Sequence, residues 1–421
     1  MKIDSPSRLI MTPTASKLLS NREYDIEFHG YLSNHAKHAI IALDRLQATE
    51  DRVQEYWDMY TSMTPYNLQL HPVNQDWDDV TPATLQQWKE WRGGKIHWQQ
   101  QTMFVYNQLQ GDYNGDYTTL LQDLVPDLLQ TSSLGAALTH GIIHLGWGID
   151  AQSPWMIAEG MAYLNFAAIG VDPKKIQLEQ HTDSSPMESL VRVAQTYHAD
   201  GLKETWVQKA KGKYKDAELF HPELFPAGFQ WEVAKIFEEA HPVVTDMPMW
   251  LTTSPISELY ESLYRTVTYL YLATRDDNGH GNFLLLHMIT SLWALEHIMN
   301  VVDSYDPNKE AKDSLTRHGI AQWYSNMLCF IAASANGFPP VAVLQDIQLG
   351  QFDPTNVDPG NLDWSNVIDL AKKETEEHNI KLTYVMQELW HRYDNWHGFF
   401  EAANAFTTTP NIRPDTLPYS A

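Results

Sequence analysis

The stretch His140-Gly-Ile-Ile-His-Leu-Gly-Trp-Gly-Ile-Asp150 decides the fold class, because its apolar residues and its two histidines recur at the spacing of an α-helix. Residues three or four apart lie on one face of a helix, so His140 and His144 are expected to point in the same direction. Gly146 and Gly148 remove side-chain bulk, which would let another element approach closely. The sequence therefore predicts a buried helix that presents two imidazoles.

The same helical pattern continues on both sides of this stretch. Apolar residues recur with a period near 3.6, and alternating strand patterns bounded by turn dipeptides are nearly absent. The clearest helical segments are residues 34–46, 81–94, 257–274, 281–302 and 364–396. We therefore predict an all-α protein with a helix-bundle core beneath long covering loops. Residues 1–421 are expected to form a single large helical domain, with residues 1–25 loosely ordered.

The composition limits the function classes. Of the 421 residues, 43% are hydrophobic and 12% are aromatic, which is enough for a sizeable core. The 53 acidic residues outnumber the 29 basic ones, for a net charge of −24, so neither nucleic acid nor an anionic membrane is an expected partner. The single cysteine, Cys329, excludes an intrachain disulfide. Without a long apolar run or a secretory signal, the chain is expected to be cytoplasmic, and its oligomeric state stays open.

Three further segments contain the residue types of a metal site. His35 and His38 are three residues apart in a helical segment, and His287 lies inside a run of leucine, methionine and isoleucine. In the segment Glu377-His378-Asn-Ile-Lys381 the histidine and the lysine share a helix face. Imidazoles that face a bundle core often bind metals. Each segment taken alone also fits histidines hydrogen-bonded within the core, or a lysine at a solvated helix edge.

Several common catalytic motifs are missing from the sequence. There is no Gly-x-Gly-x-x-Gly after a strand, no Walker A motif and no Gly-x-Ser-x-Gly elbow. Gly141 stands where the zinc-protease pattern His-Glu-x-x-His requires its glutamate. A Rossmann or P-loop nucleotide site, a serine-hydrolase mechanism and a zinc-protease mechanism are therefore not expected.

Taken together, the histidine segments resemble those of the questin oxidase-like family, which acts in the oxidative cleavage of polyketide anthraquinones. The segments that carry the resemblance are Asn34-His-Ala-Lys-His-Ala, His140-Gly-Ile-Ile-His-Leu-Gly-Trp-Gly-Ile-Asp150, Leu286-His-Met-Ile-Thr-Ser and Glu377-His-Asn-Ile-Lys381. The most specific is the one that begins at His140, although Asp150 replaces the glutamate usual in the family. The resemblance implies a mostly helical oxygenase, either a Baeyer–Villiger-like monooxygenase or a ring-cleaving dioxygenase.

The resemblance also implies a metal site. Its expected ligands to Fe(II) are four histidines and a carbamylated lysine. The histidines that match are His140, His144, His287 and one or both of His35 and His38, and the matching lysine is Lys381. His378 would orient a ligand or replace one. Glu377 and Glu159 are further candidates to orient ligand imidazoles.

The remaining expectations concern the substrate and the alternatives. A small aromatic substrate and O2 would be the partners, with NADPH as a possible external reductant. Four aromatic residues near the histidine segments could stack on such a substrate, and each also fits ordinary core: Trp147, Tyr163, Trp293 and Tyr384. One alternative is a metal-dependent hydrolase with two zinc ions and a carbamylated lysine, although such sites normally lie at barrel strand ends. Another is a helical heme- or ligand-binding protein.

Overall fold

Helices dominate the computed structural model, which describes residues 10–28, 32–70, 72–215, 229–303, 309–334, 336–351 and 362–410. The first six helices are α1 (Pro13–Leu19), α2 (Ala36–Arg45), α3 (Glu50–Ser62), α4 (Leu85–Glu90), α5 (Trp98–Gln110) and α6 (Tyr117–Leu129). The central ones are α7 (His140–Asp150), α8 (Pro154–Phe166), α9 (Pro186–Ala199), α10 (Lys209–Lys215), α11 (Phe229–Glu238), α12 (Pro242–Thr245), α13 (Trp250–Thr253) and α14 (Ile256–Ala273). The last are α15 (Leu286–Val302), α16 (Lys309–Ala333), α17 (Val341–Gln348), α18 (Trp364–Lys373), α19 (Glu377–Arg392) and α20 (His397–Asn404).

Strands play a minor part in the described residues. Strands β1 (Glu27–Phe28) and β2 (Leu32–Ser33) pair antiparallel, with Phe28 opposite Leu32. Strands β3 (Gln177–His181) and β4 (Asp246–Pro248) pair in parallel, with an irregular register between Gln177 and His181. The all-α prediction is confirmed, and none of the described helices is long and apolar enough to cross a membrane.

The N-terminal segment is more ordered than the sequence suggested. Residues 1–9 lie outside the described part, but α1 forms within the stretch expected to be loosely ordered. Thr12 caps this helix with its side chain and also donates a hydrogen bond to Asp44 at the end of α2. Ala15, Leu18 and Leu19 are buried against the core, so hydrophobic burial and capping together order a helix that is only seven residues long.

The core is built around α7, which packs between α8 and α15, while α19 packs on α2 and α20. A Cβ atom on Gly146 would lie 2.5 Å from Cα and 2.8 Å from the carbonyl oxygen of Ala294 on α15. A Cβ atom on Gly148 would lie 3.0 Å from the backbone of Ile157 on α8. These contacts confirm the expectation that the glycines of α7 allow close approach of neighbouring helices.

The packing at Gly146 gives a stability prediction. Gly146→Ala is expected to destabilise the protein by about 1–3 kcal/mol, because the backbone of α15 must move to make room for the methyl group. Urea unfolding measures the change. Gly212→Ala is the matched control, since no described atom outside its own helix backbone lies within 4 Å of the added Cβ, and alanine should stabilise α10 by about 0.5–1 kcal/mol. Equal stability of Gly146→Ala and the wild type would contradict this account of the packing.

Candidate metal centre

Four histidines converge from the starts of four helices. His35 is the residue before α2, and His140 is the first residue of α7. His287 and His378 are the second residues of α15 and α19. One nitrogen from each of these four rings lies within 4.8 Å of the others. Because the N-terminal end of a helix is its positive end, the site favours anionic ligands beside whatever the imidazoles bind.

Hydrogen bonds fix the orientation of three of the four rings. The Nδ1–H of His140 donates to the carbonyl oxygen of Ala137 at 2.6 Å, and that of His287 donates to the carbonyl oxygen of Phe283 at 3.0 Å. The Nδ1–H of His378 donates to Oε1 of Glu376 at 2.8 Å. Each bond leaves Nε2 as a bare lone pair, which is how metal-binding histidines are usually held.

The backbone before His140 is strained. Three consecutive residues have left-handed backbone angles, with φ of 46° at Ala137, 56° at Leu138 and 74° at Thr139. Such angles cost about 1–2 kcal/mol for each residue other than glycine. The Ala137 carbonyl accepts hydrogen bonds from both the backbone N–H and the ring of His140, so this turn sets the start of α7 and the direction of the imidazole together. Strained backbone of this kind is characteristic of functional sites.

Burial keeps all four imidazoles neutral. It lowers the pKa of His140 to about 3, with a further contribution from the charge of Lys381. Burial also holds the pKa of His35, His287 and His378 well below the ordinary value, and nearby charged groups add to the effect. Neutral rings are the form that binds metals, so no proton has to be displaced at neutral pH.

Lys381 is a buried lysine on the same helix as His378. It lies three residues after His378 on α19 and is fully buried, and within the described residues its Nζ has no hydrogen-bond partner. Burial lowers its pKa to about 8, against the opposing effect of Glu377 and Glu376. A buried amine without a partner is costly, so a group that neutralises or converts it is expected.

A pair of carboxyl groups and two tyrosines adjoin His378. The Tyr66 hydroxyl donates to Glu377 at 2.6 Å and lies 3.1 Å from Glu376, and the Tyr60 hydroxyl donates to Glu377 at 3.2 Å. Burial raises the pKa of Glu376 to about 7 and that of Glu377 to about 8. Glu376, Glu377 and His378 form a second group of close donor atoms, which shares His378 with the first. The acidic pair therefore orients His378 from the side opposite its free Nε2.

His38 and His144 belong to a separate hydrogen-bonded chain. Glu159 accepts a hydrogen bond at 2.7 Å from Lys37 and another at 3.2 Å from Nε2–H of His144. Nδ1 of His144 must then accept the hydrogen of His38 Nε2, 3.0 Å away. Both nitrogens of His144 are engaged, whereas Nδ1 of His38 has no hydrogen-bond partner within the described residues. Each histidine pair predicted from spacing is thus divided. His35 and His140 belong to the four-histidine cluster, whereas His38 and His144 belong to the hydrogen-bonded chain that ends at Glu159.

The hydrogen bonds that Glu159 accepts from Lys37 and His144 give a second stability prediction. Burial alone would raise the pKa of Glu159, but Lys37 and His144 outweigh it and hold the pKa below the ordinary value. Glu159→Gln is therefore expected to cost about 1–3 kcal/mol at neutral pH. A carboxylate with a lowered pKa stabilises the fold above its unfolded pKa, so the cost should shrink as the pH falls below about 4.

Urea unfolding of wild type and Glu159→Gln across this pH range checks the prediction. Glu55→Gln is the control, because Glu55 pairs with Arg52 while its side chain is 71% exposed, and the change should be within about 0.5 kcal/mol. A pH-independent cost of Glu159→Gln would contradict the ion pair's role.

The four aromatic residues suggested as substrate contacts fill the core. Trp147 and Trp293 are fully buried with ring centroids 4.9 Å apart, and Tyr384 packs on both. Tyr163 is also buried, and its hydroxyl is hydrogen-bonded to Ser33 at 2.7 Å. In the structure all four are therefore packing residues of the core.

The sequence interpretation missed three contributors to the site. Glu376, Tyr60 and Tyr66 were not singled out, although the adjacent acids in Thr375-Glu-Glu-His378 were a readable signal for an oriented histidine. The tyrosines lie more than 300 residues from Glu377 in sequence, and only the tertiary structure brings them together.

Comparison with known proteins identifies the family of this protein. A model of the questin oxidase-like family matches residues 32–386, a range that contains all four clustered histidines and Lys381. The chain belongs to the questin oxidase-like family. No curated protein matches it in a sequence search. Membership in the questin oxidase-like family indicates an oxidase or oxygenase, and the resemblance read from the histidine segments is confirmed.

Proposed function

We propose that this protein is a non-heme iron oxygenase that inserts oxygen into, or cleaves, an anthraquinone-type aromatic substrate. The observation that carries the proposal is the convergence of His35, His140, His287 and His378, whose donor nitrogens lie within 4.8 Å of one another. Neutral imidazoles suit Fe(II), Zn(II) and copper alike, and the family's oxygenase chemistry favours iron.

The residues present fit a bound cation. Among the described residues, neither the buried Nε2 of His378 nor the buried Nδ1 of His35 has a hydrogen-bond partner. Leaving buried ring nitrogens unpaired costs free energy, and a cation among them would use their lone pairs. Bound Fe(II) would supply the means to activate O2. The protein itself supplies ring orientation, through the Ala137 and Phe283 carbonyls and the Glu376 carboxyl group.

Lys381 fits the role of an anionic oxygen ligand after carbamylation by CO2. Its amine is buried one helical turn from His378 and has no hydrogen-bond partner in the part of the chain that the structure describes. Carbamylation of the ammonium form replaces one N–H bond with a bond to a carboxylate carbon and releases two protons in all, so the buried cation becomes an anion. Four converging helix N-termini would stabilise that anion. The acidic pair beside it has raised pKa values, and a protonated Glu377 could donate a hydrogen bond to the carbamate.

Oxygen uptake tests the proposed activity. Protein loaded anaerobically with Fe(II) is mixed with O2 and a series of hydroxylated anthraquinones, with and without NADPH. Uptake that depends on both iron and the aromatic compound supports the proposal. A dioxygenase places both oxygen atoms in the product and needs no added electrons, whereas a monooxygenase needs two from a reductant such as NADPH. Equal uptake by metal-free and iron-loaded protein would overturn the role of iron.

A further inference from the structure

The four clustered histidines differ in their access to solvent. His35, His287 and His378 are only 3%, 4% and 1% exposed, whereas His140 is half-buried. Lys381 and Glu377, on the same helix as His378, are completely buried. The cluster therefore approaches solvent on the side of His140.

Phe283 packs against two of the clustered histidines. Its ring centroid is 4.6 Å from that of His378 and 5.4 Å from that of His287, both in edge-to-face geometry. The residue itself is half-buried. A half-buried residue whose ring contacts two buried imidazoles places its side chain at the border between the cluster and the protein surface.

The segment that carries Phe283 is held in place. It joins α14 to α15, and the Asn282 side chain accepts hydrogen bonds from the backbone N–H groups of Leu284 and Leu285. Gly281 passes so close to the Tyr271 ring that a Cβ atom could not fit. The Phe283 carbonyl accepts the hydrogen bond from His287, so the backbone at this position is tied to the site whatever side chain it carries.

We infer that Phe283 forms one wall of the entrance to the four-histidine site, and that a planar aromatic substrate lies against its ring. The inference rests on the proposed function for the class of substrate. Phenylalanine offers an apolar face suited to offset or edge contact with a flat ring, and it offers no group that could bind a metal. Its side chain therefore determines specificity without being a ligand.

Chemical modification of metal-free protein tests the entrance. Diethyl pyrocarbonate acylates accessible neutral imidazoles, and peptide mass spectrometry gives a rate for each histidine. In the wild type His140 should react faster than His287 and His378. Phe283→Ala should raise the rates of His287 and His378 several-fold, and Phe283→Trp should not. Unchanged rates at both residues in Phe283→Ala would overturn the inference.

Two controls distinguish opening of the entrance from unfolding of the variant. His297 is 6% exposed with its ring against Trp293, so its rate rises if a variant unfolds but not if only the entrance opens. Trp98→Ala removes a half-buried aromatic ring that contacts Trp77 and Phe166, and it should leave the site histidines unchanged. If Phe283→Ala raises the His297 rate as well, Phe283→Leu serves as the milder variant and is judged by the same criterion.

Binding of 1,8-dihydroxyanthraquinone tests the substrate contact. Quenching of tryptophan fluorescence gives its Kd, and Phe283→Ala should weaken binding by about 3- to 10-fold, as expected for loss of an aromatic pair. Phe283→Tyr should bind like the wild type, and metal content should be the same in all three proteins. An unchanged Kd in Phe283→Ala, or a wild type that holds metal but not this compound, overturns the inference while the metal site stands. A wild type without metal instead overturns the proposed function.

Discussion

Replacing His378 with alanine is expected to remove nearly all of the bound metal while leaving the helical content unchanged. His378 contributes one of four converging nitrogens, and its Nε2 has no other partner in the described residues. Loss of a residue that merely orients a ligand typically weakens metal affinity 10- to 100-fold, so loss of a ligand should exceed about 100-fold. Elemental analysis after dialysis, together with far-ultraviolet circular dichroism, measures both quantities.

Two further variants separate a ligand from a structural histidine. His297→Ala removes a buried histidine whose Nδ1–H donates to the Trp293 carbonyl oxygen and not to any residue of the four-histidine cluster. This variant should keep its metal. His144→Ala should also keep stoichiometric metal, because both nitrogens of His144 are engaged by His38 and Glu159. Retention of metal by His378→Ala and its loss from His144→Ala would reverse the assignment of ligands.

Lys381→Ala is expected to abolish most iron-dependent oxygen uptake and to lower metal occupancy. The lysine is fully buried beside the cluster, and in the proposed function its carbamate supplies the anionic oxygen donor. A short carboxylate such as acetate, added in excess, should restore part of the activity by entering the space that the side chain leaves. Glu388→Ala, on the same helix but hydrogen-bonded to Trp293 instead, should retain its metal.

The carbamate has a direct spectroscopic test. Wild-type protein equilibrated with ¹³C-bicarbonate should show a carbamate carbon resonance that Lys381→Ala lacks. Normal activity in Lys381→Ala, or identical carbon spectra of the two proteins, would end the carbamate proposal. The four-histidine cluster would then have to act without a lysine-derived ligand.

The helical fold followed from the sequence more fully than the site did. The helical period of the apolar residues predicted helices at 257–274 and 281–302, and the structure has α14 and α15 there, with α15 beginning only at Leu286. The segment 364–396 could be one helix or two, and it breaks after Lys373. That break matters, because Glu376 then caps α19 by accepting the backbone N–H of His378, which places the acidic pair and His378 at a helix start.

Helical spacing found the right segments but did not separate ligands from neighbours. His140 and His144 share a helix face, as predicted, yet His144 lies one turn further into the bundle and meets His38 and Glu159 there. The same division separates His35 from His38. The clustered histidines all stand at helix starts, and which starts converge is decided by tertiary packing, which spacing along one helix does not encode.

The position of Phe283 beside the cluster is another feature that spacing along the sequence does not encode. In the sequence it is one apolar residue in a run of them, and its proximity to His378 depends on contact between the start of α15 and the start of α19. Its carbonyl oxygen accepts a hydrogen bond from the His287 ring four residues later, and many helices contain such a bond without functional meaning. Only the combination of ring contacts and partial exposure distinguishes it.

Metal analysis of the unmodified protein tests the central claim most directly. The chain, purified without a metal-affinity step, is analysed by elemental mass spectrometry and by X-ray absorption at the edge of the metal found. One iron per chain with predominantly nitrogen ligands is the predicted result. Two zinc ions per chain, or a well-folded protein that neither contains nor takes up metal, would contradict the assignment of the four-histidine cluster as an iron site.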